Sequence, residues 1–189
     1  MSVRDLFVTR LYEAELGASA LDELAHSIRS LADDDAAGQQ WSREHRYAGY
    51  TSYASLDDLP RRDPAFADLA KSLTRHARGF AAELDWDVRP KLDSMWVNLL
   101  RGGGHHAAHI HPHSILSGTL YVEAPRGSGA IRFEDPRLPM MMAAPQRPDS
   151  FVSVEPRPGL LLLWESWLRH EVLPGTGRAE RLSVSFNFA

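Results

Sequence analysis

The sequence predicts a mainly β fold, a β-sandwich supported by two amphipathic helices that precede it. Three observations predict it. Apolar residues recur at helical spacing in the first part of the chain; from Asp93 onward the texture changes to short apolar or alternating runs; and those runs are punctuated by Gly/Pro turns at the spacing of a sandwich or barrel. A length of 189 residues fits one domain over 1–189, with 1–92 as a helical support region and 93–189 as the β core.

The first helix starts near Ser19, an N-cap candidate, and carries Leu21, Leu24, Ile28 and Leu31 on one stripe before "ADDDAAGQQ" breaks it. The second starts at "RDPAF", with Asp63 as cap and Pro64 at the first helical position, where its missing N–H costs nothing. Its stripe is Phe66, Leu69, Leu73, Phe80 and Leu84. Between the helices, "WSREHRYAGYTSYASLDDLP" is aromatic and turn-rich without clear periodicity, and reads either as a loop over a cleft or as a connecting strand. The strand candidates follow: "SMWVNLLR", "SILSGTLYVEA", "GAIRFEDP", "SFVSVEPR", "GLLLLWESW" and "RLSVSFNFA". Turns fall at "APRGSG", "PRPG" and "LPGTG", and "LPMMMAAPQRPDS" reads as a long loop between strands.

Composition excludes several chemistries. With no cysteine there is no disulfide framework, thiolate zinc site or cysteine nucleophile, so any metal must be held by His, Asp or Glu. A net charge of −4 argues against a nucleic-acid footprint. No apolar run is long enough for a membrane span and the start lacks a secretory signal's order, so a cytoplasmic protein is expected. The chain also lacks a nucleophile elbow, an H-E-x-x-H helix and the Lys-Ser/Thr ending of a phosphate loop.

"RGGGHHAAHIHPH" concentrates His105, His106, His109, His111 and His113, five of the nine histidines. An imidazole buried without a partner costs a few kcal/mol, roughly, so such density points to binding. On a strand, His109 and His111 share one face, and Pro112 helps to end that strand. His170, in "ESWLRHEV", is the further histidine of the β region and completes a candidate facial three-ligand site with open positions. His105, His106 and His113 are placed at the mouth of the site or as replacements for one of the three; His26, His45 and His76 read as surface or satisfied core residues. Eleven positions after His170 stands Arg181, which opens a strand whose one face is Arg181, Ser183, Ser185 and Asn187 and whose other is apolar. If the polar face lines a cavity, Arg181 supplies a fork-shaped cation for a carboxylate and Ser183 a hydroxyl beside it.

With His109-x-His111, a distant His170 and Arg181-x-Ser183, the chain resembles the Fe(II)/2-oxoglutarate-dependent oxygenases of the double-stranded β-helix (jelly-roll) class. The likeness extends through "YAGYTSYASL" and "MWVNLLRGGGHHAAHIHPHSILSGTLYV" to a family with a W-x-N, H-x-H-P, S-G-x-x-Y-V core, and covers nearly the whole chain. The resemblance implies Fe(II) on His109, His111 and His170, and the distal carboxylate of 2-oxoglutarate on Arg181 with Ser183. It leaves Tyr121 and Asn98 as hydrogen-bonding candidates for cosubstrate or substrate. It implies O₂ as oxidant, succinate and CO₂ as products, and hydroxylation of an unactivated C–H bond.

One departure matters. The usual triad is two histidines and a carboxylate, whereas His111 stands at the acid's position, and the nearest acids downstream are Glu123, Glu134 and Asp135. Either three histidines serve, or His113 or an acid such as Glu134 completes the site; three histidines are favoured. Two rival readings share the features: a cupin-type dioxygenase or isomerase without 2-oxoglutarate, and a non-catalytic metal or 2-oxoglutarate sensor. The expected partner is a small-molecule or peptide substrate, contacted by segments such as "WSREHRYAGYTSY", "LPMMMAAPQRP" or "ESWLR", and an exposed sandwich edge offers a homodimer interface.

Overall fold

The computed structural model describes residues 1–137, 142–143, 145 and 150–189. Among them run β1 (Leu11–Glu15), α1 (Ala18–Asp34), α2 (Ala36–Glu44), β2 (Gly49–Thr51), α3 (Pro64–Glu83), β3 (Leu92–Leu100), β4 (His106–His109), β5 (Leu116–Glu123), β6 (Ile131–Glu134), β7 (Phe151–Val154), β8 (Leu160–Glu165), β9 (His170–Val172) and β10 (Arg181–Phe188). The strands form two antiparallel sheets, ordered β1-β8-β5-β10-β3-β2 and β4-β9-β6-β7. The loop expected at "LPMMMAAPQRPDS" lies mostly outside the described residues.

The larger sheet has two different faces because its strands alternate. Leu182, Val184, Phe186 and Phe188 of β10, with Met95, Val97 and Leu99 of β3 and Leu161 and Leu163 of β8, pack against the helices. From the helices come Leu24 and Ile28 of α1 and Phe66, Leu69, Leu73 and Phe80 of α3. Each of these large side chains contributes roughly 1.5–3 kcal/mol on burial. The opposite face meets the smaller sheet through Tyr121, Leu160, Leu162 and Trp164 on one side and Ile131 and Phe133 on the other. Gly118 is required where β5 passes β8 and β10, because a Cβ there would lie 2.4 Å from the Phe186 ring and 2.5 Å from the Leu162 carbonyl oxygen.

Three expectations need correction. Helix α1 starts one residue before Ser19, with Gly17 in the cap position. The break at "ADDDAAGQQ" is a single residue, Asp35, after which a third helix, α2, runs on; its short polar stretch hides the helical stripe. The support region 1–92 also contains strands, since β1 adds to the edge at β8 and β2 to the edge at β3. At five and three residues both are short, and pairing with a preformed edge supplies what so little sequence alternation does not.

Asp35 explains how α2 and the following segment hold together. Buried at 8% exposure, its carboxylate accepts hydrogen bonds from the Gly38 N–H at 2.9 Å, the Tyr50 hydroxyl at 2.8 Å and the Ser55 hydroxyl at 2.5 Å. Burial opposes the charge, but the hydrogen bonds from Ser55, Gly38 and Tyr50 outweigh it and hold the carboxyl below its usual range. Asp35→Ala, which leaves these donors without a partner, is expected to lower stability by about 1–3 kcal/mol in urea unfolding at neutral pH. Because the folded-state pKa is depressed, the wild-type advantage is full above the unfolded carboxyl's pKa and vanishes as pH falls through the folded one. Equal midpoints for the two proteins at neutral pH would contradict this role.

Candidate metal centre

The smaller sheet brings the histidines together by register. His109, the last residue of β4, lies directly opposite His170, the first residue of β9. His111 is placed two residues beyond β4, outside the strand rather than on it as the sequence suggested, and its backbone N–H is held by the Ser166 carbonyl at 3.0 Å. One ring nitrogen from each of His109, His111 and His170 falls within 4.8 Å of the others. Ring centroids are 4.5–5.1 Å apart.

Hydrogen bonds determine which nitrogens face inward. The Nδ1 of His109 contacts the Ala107 carbonyl at 2.7 Å, that of His170 the Leu168 carbonyl at 2.9 Å, and that of His111 the Asn187 Oδ1 at 2.8 Å. All three partners are oxygen acceptors once Asn187 is oriented to donate its amide to Ser94 Oγ, so each Nδ1 carries the proton and each Nε2 presents a lone pair. The Nε2 atoms of His109 and His111 stand 3.2 Å apart with no proton to share, an arrangement a cation between them would relieve. Burial pushes His111 down to about 4 and His170 down to about 3, so both rings are neutral and able to ligate at physiological pH. Trp164 and Phe133 wall His170, at ring distances of 4.7 and 6.0 Å.

Asn187 was overlooked in the sequence as a functional residue, although the polar alternation of β10 contained it. Its Oδ1 also accepts from Ser117 at 2.8 Å, so it is held from two sides while it orients His111. Loss of such an orienting partner costs about 10–100-fold in metal affinity. Asn187→Ala is expected to weaken Fe(II) binding within that range in a chelator competition, and an unchanged affinity would show that His111 needs no support.

Arg181 lines the same cavity. It is 4% exposed, its Nη1 donates to the Gly129 carbonyl at 3.1 Å, and its guanidinium carbon sits 5.6 Å from the Tyr121 ring centre. Its Nε has no hydrogen-bond partner among the described residues, and the neighbouring Glu180 is spent on Arg101 at 2.9 Å. A buried guanidinium lacking a counter-charge is expensive, and an anionic ligand is its natural complement. Ser183, 2% exposed, and Tyr121, 1% exposed, line this cavity beside it. Burial, partly offset by Arg181, pushes the Tyr121 phenol up to about 12, which keeps its O–H as a donor. The cavity measures about 60 Å³.

Asn98 also lines the cavity, but its amide is already engaged. Its Oδ1 accepts from Tyr47 and Thr51 at 3.2 and 2.9 Å, and its Nδ2 donates to Ser185 at 3.0 Å. Since Tyr47 donates to Asn98, the His106 Nε2 at 2.8 Å from the same hydroxyl must be the donor in that pair. His106 is thus a half-buried cavity wall outside the group of three. His113 stands in an exposed turn with φ at 70°, and Glu134 is paired with Arg169 at 2.9 Å, so neither joins the three imidazoles. Of the other histidines, His76 contacts the Tyr12 hydroxyl at 2.9 Å, His45 stacks on Trp41 and His26 is exposed.

Three oriented imidazoles and an uncompensated guanidinium in one cavity between two antiparallel sheets define a candidate mononuclear metal centre with an anion pocket. Residues 94–187 match the family model described as "Putative 2OG-Fe(II) oxygenase", and the chain belongs to the 2OG-Fe(II) oxygenase family. No curated protein sequence matches it. Among solved structures it is similar to a Pseudomonas putida prolyl-4-hydroxylase, at 19% identity and a TM-score of 0.67 over 95% of this chain and 92% of that one. It is also similar to SnoN, an α-ketoglutarate-dependent epimerase of nogalamycin biosynthesis, at 16% identity and a TM-score of 0.68 over 95% and 76%. HygX from Streptomyces hygroscopicus, solved with nickel and 2-oxoglutarate, gives 13% and 0.63 over 96% and 82%. At these identities the likeness is one of fold.

Proposed function

We propose that this chain is an Fe(II)- and 2-oxoglutarate-dependent oxygenase, one domain over 1–189, that oxidises a C–H bond of a small-molecule substrate. The observation that carries the reading is the set of three Nε2 lone pairs, each fixed by a hydrogen bond at the far nitrogen, beside a buried Arg181 with an unpartnered Nε. The double-stranded β-helix is supported by strand order: of β3 to β10, four form β8-β5-β10-β3 and the other four β4-β9-β6-β7, the chain changing sheet at every step except between β6 and β7.

In this reading His109, His111 and His170 hold the iron. Arg181 receives the distal carboxylate of 2-oxoglutarate, with Ser183 and the Tyr121 O–H beside it. Asn98 shapes the wall while its amide stays bound to its neighbours. The bound metal, with 2-oxoglutarate and O₂, supplies the oxidising power and gives succinate and CO₂. The protein's own part is to orient the imidazoles through Ala107, Asn187 and Leu168, to neutralise the cosubstrate and to keep the inner pocket dry with Trp164 and Phe133. A third neutral ligand in place of a carboxylate leaves the centre one charge more positive, and Arg181, which lines the same cavity, shares in balancing the cosubstrate's two negative charges. A cupin-type centre without 2-oxoglutarate would leave the buried Arg181 unexplained.

Prolyl-4-hydroxylase and an epimerase both stand among the fold's neighbours, so two outcomes of C–H oxidation have precedent. We favour hydroxylation. Anaerobic Fe(II) and 2-oxoglutarate added to the apoprotein are expected to give the weak visible charge-transfer band of the chelate, followed by succinate release on exposure to O₂. A product that gains one oxygen atom supports hydroxylation, and one of unchanged mass supports epimerisation. Bound iron without the band would overturn the cosubstrate assignment.

A further inference from the structure

A second cavity of about 340 Å³ opens beside His109 and His111. It shares Trp96, Asn98, His106, His109 and His111 with the inner pocket, so a molecule in it would border the same centre, and Arg181 does not line it. Its size falls at the lower end of the range of about 300–1,000 Å³ typical of small-molecule sites. The walls are Trp41, Tyr47, Tyr53, Trp96, Ile110 and Pro112, and no Asp, Glu, Lys or Arg lines it among the described residues.

Three properties of this cleft constrain its occupant. Tyr53 and Ile110 line it and are 59% and 46% exposed, so they offer apolar surface that a ligand there would cover. Tyr53 meets Trp96 edge-on at 5.2 Å, which leaves aromatic surface toward the opening. The polar groups in the floor satisfy one another: Tyr47 and Thr51 donate to Asn98, and Asn98 donates to Ser185. A charged ligand group would lose its hydration here without gaining a counter-ion, and a strongly polar one would find its partners taken. A flat ring gains the stacking geometry that aromatic walls prefer.

We propose that this cleft binds the primary substrate, and that the substrate is a small uncharged molecule presenting a planar ring to Trp41, Tyr53 and Trp96. The proposal rests on the oxygenase reading above for the word substrate, and on the cleft alone for the class of ligand. The cosubstrate's two negative charges offset the dication expected on the neighbouring imidazoles, so the loaded centre offers neither a cation nor an anion a counter-charge.

The test uses anaerobic protein loaded with Fe(II) and 2-oxoglutarate, titrated calorimetrically with three indole probes. These are neutral N-acetyltryptophanamide, anionic N-acetyltryptophan and cationic tryptophanamide. The neutral probe is expected to bind about tenfold more tightly than either charged one. Tyr53→Ala and Trp41→Ala are each expected to weaken it about tenfold, with the chelate band unchanged. Tightest binding of a charged probe overturns the uncharged class. No binding of any probe at millimolar concentration, or undiminished binding in both variants, overturns the cleft. If the wild type shows no chelate band, the oxygenase reading fails separately. The same titration of metal-free protein then decides the cleft, with the same order of affinities expected and its absence overturning the proposal.

Discussion

Replacing His170 by alanine is expected to lower Fe(II) affinity by at least about 100-fold and to abolish turnover, because removing a ligand should cost more than removing an orienting partner. The ring is 4% exposed and wedged against Trp164, so the same change opens a void and costs stability as well. His109→Ala, at a half-buried position, separates the two effects, since it removes a ligand from the β4 end with less loss of packing. Both variants are to be examined by Fe(II) competition and by thermal unfolding without metal. Near-wild-type affinity in His109→Ala and in His170→Ala would remove these residues as ligands.

Arg181→Met is expected to weaken 2-oxoglutarate binding by about 2–5 kcal/mol, or roughly 30-fold to several thousand-fold, the usual cost of deleting one partner of a buried charge pair. The ligand-free protein should respond with the opposite sign. Arg181 there is a buried cation with an unpartnered Nε, and an apolar chain of similar length removes that cost while losing the bond to Gly129 and the contact with the Tyr121 ring. Unfolding temperature without cosubstrate should therefore stay level or rise. The stabilisation that 2-oxoglutarate confers on wild type, by binding only the folded state, should disappear. A variant that loses apo stability yet keeps its 2-oxoglutarate shift would identify Arg181 as structural.

Much of this site was legible in the chain because its signals are local. The alternation of β10 announced a polar face with Arg181 and Ser183 on it, and that face does line the cavity. Density singled out His109 and His111, and the later His170 stood out in the strand-rich half. What could not be read has a common cause. His111 lies past the end of its strand because its N–H pairs with Ser166, a residue 55 positions away that no local pattern connects to it. Helix α2 is short and rests on Asp35, whose value as a cap depends on Tyr50 and Ser55 arriving from the following segment. His106 looked interchangeable with its neighbours until Tyr47 claimed its Nε2.

The sequence by itself determined which chemistry is available. Without cysteine and with histidines concentrated between two β runs, the chain was limited to imidazole and carboxylate ligation on a mainly β scaffold, and strand alternation settled which side chains share a face. Only the tertiary structure decided the register that sets His109 opposite His170, the acceptors that turn three Nε2 atoms inward, and the absence of an acid beside Arg181 among the described residues. It also decided that the aromatic segment after α2 walls a cleft over that centre. Residue type and periodicity are properties of neighbours in the chain, whereas hydrogen-bond partners, burial and uncompensated charge arise between strands that meet only on folding.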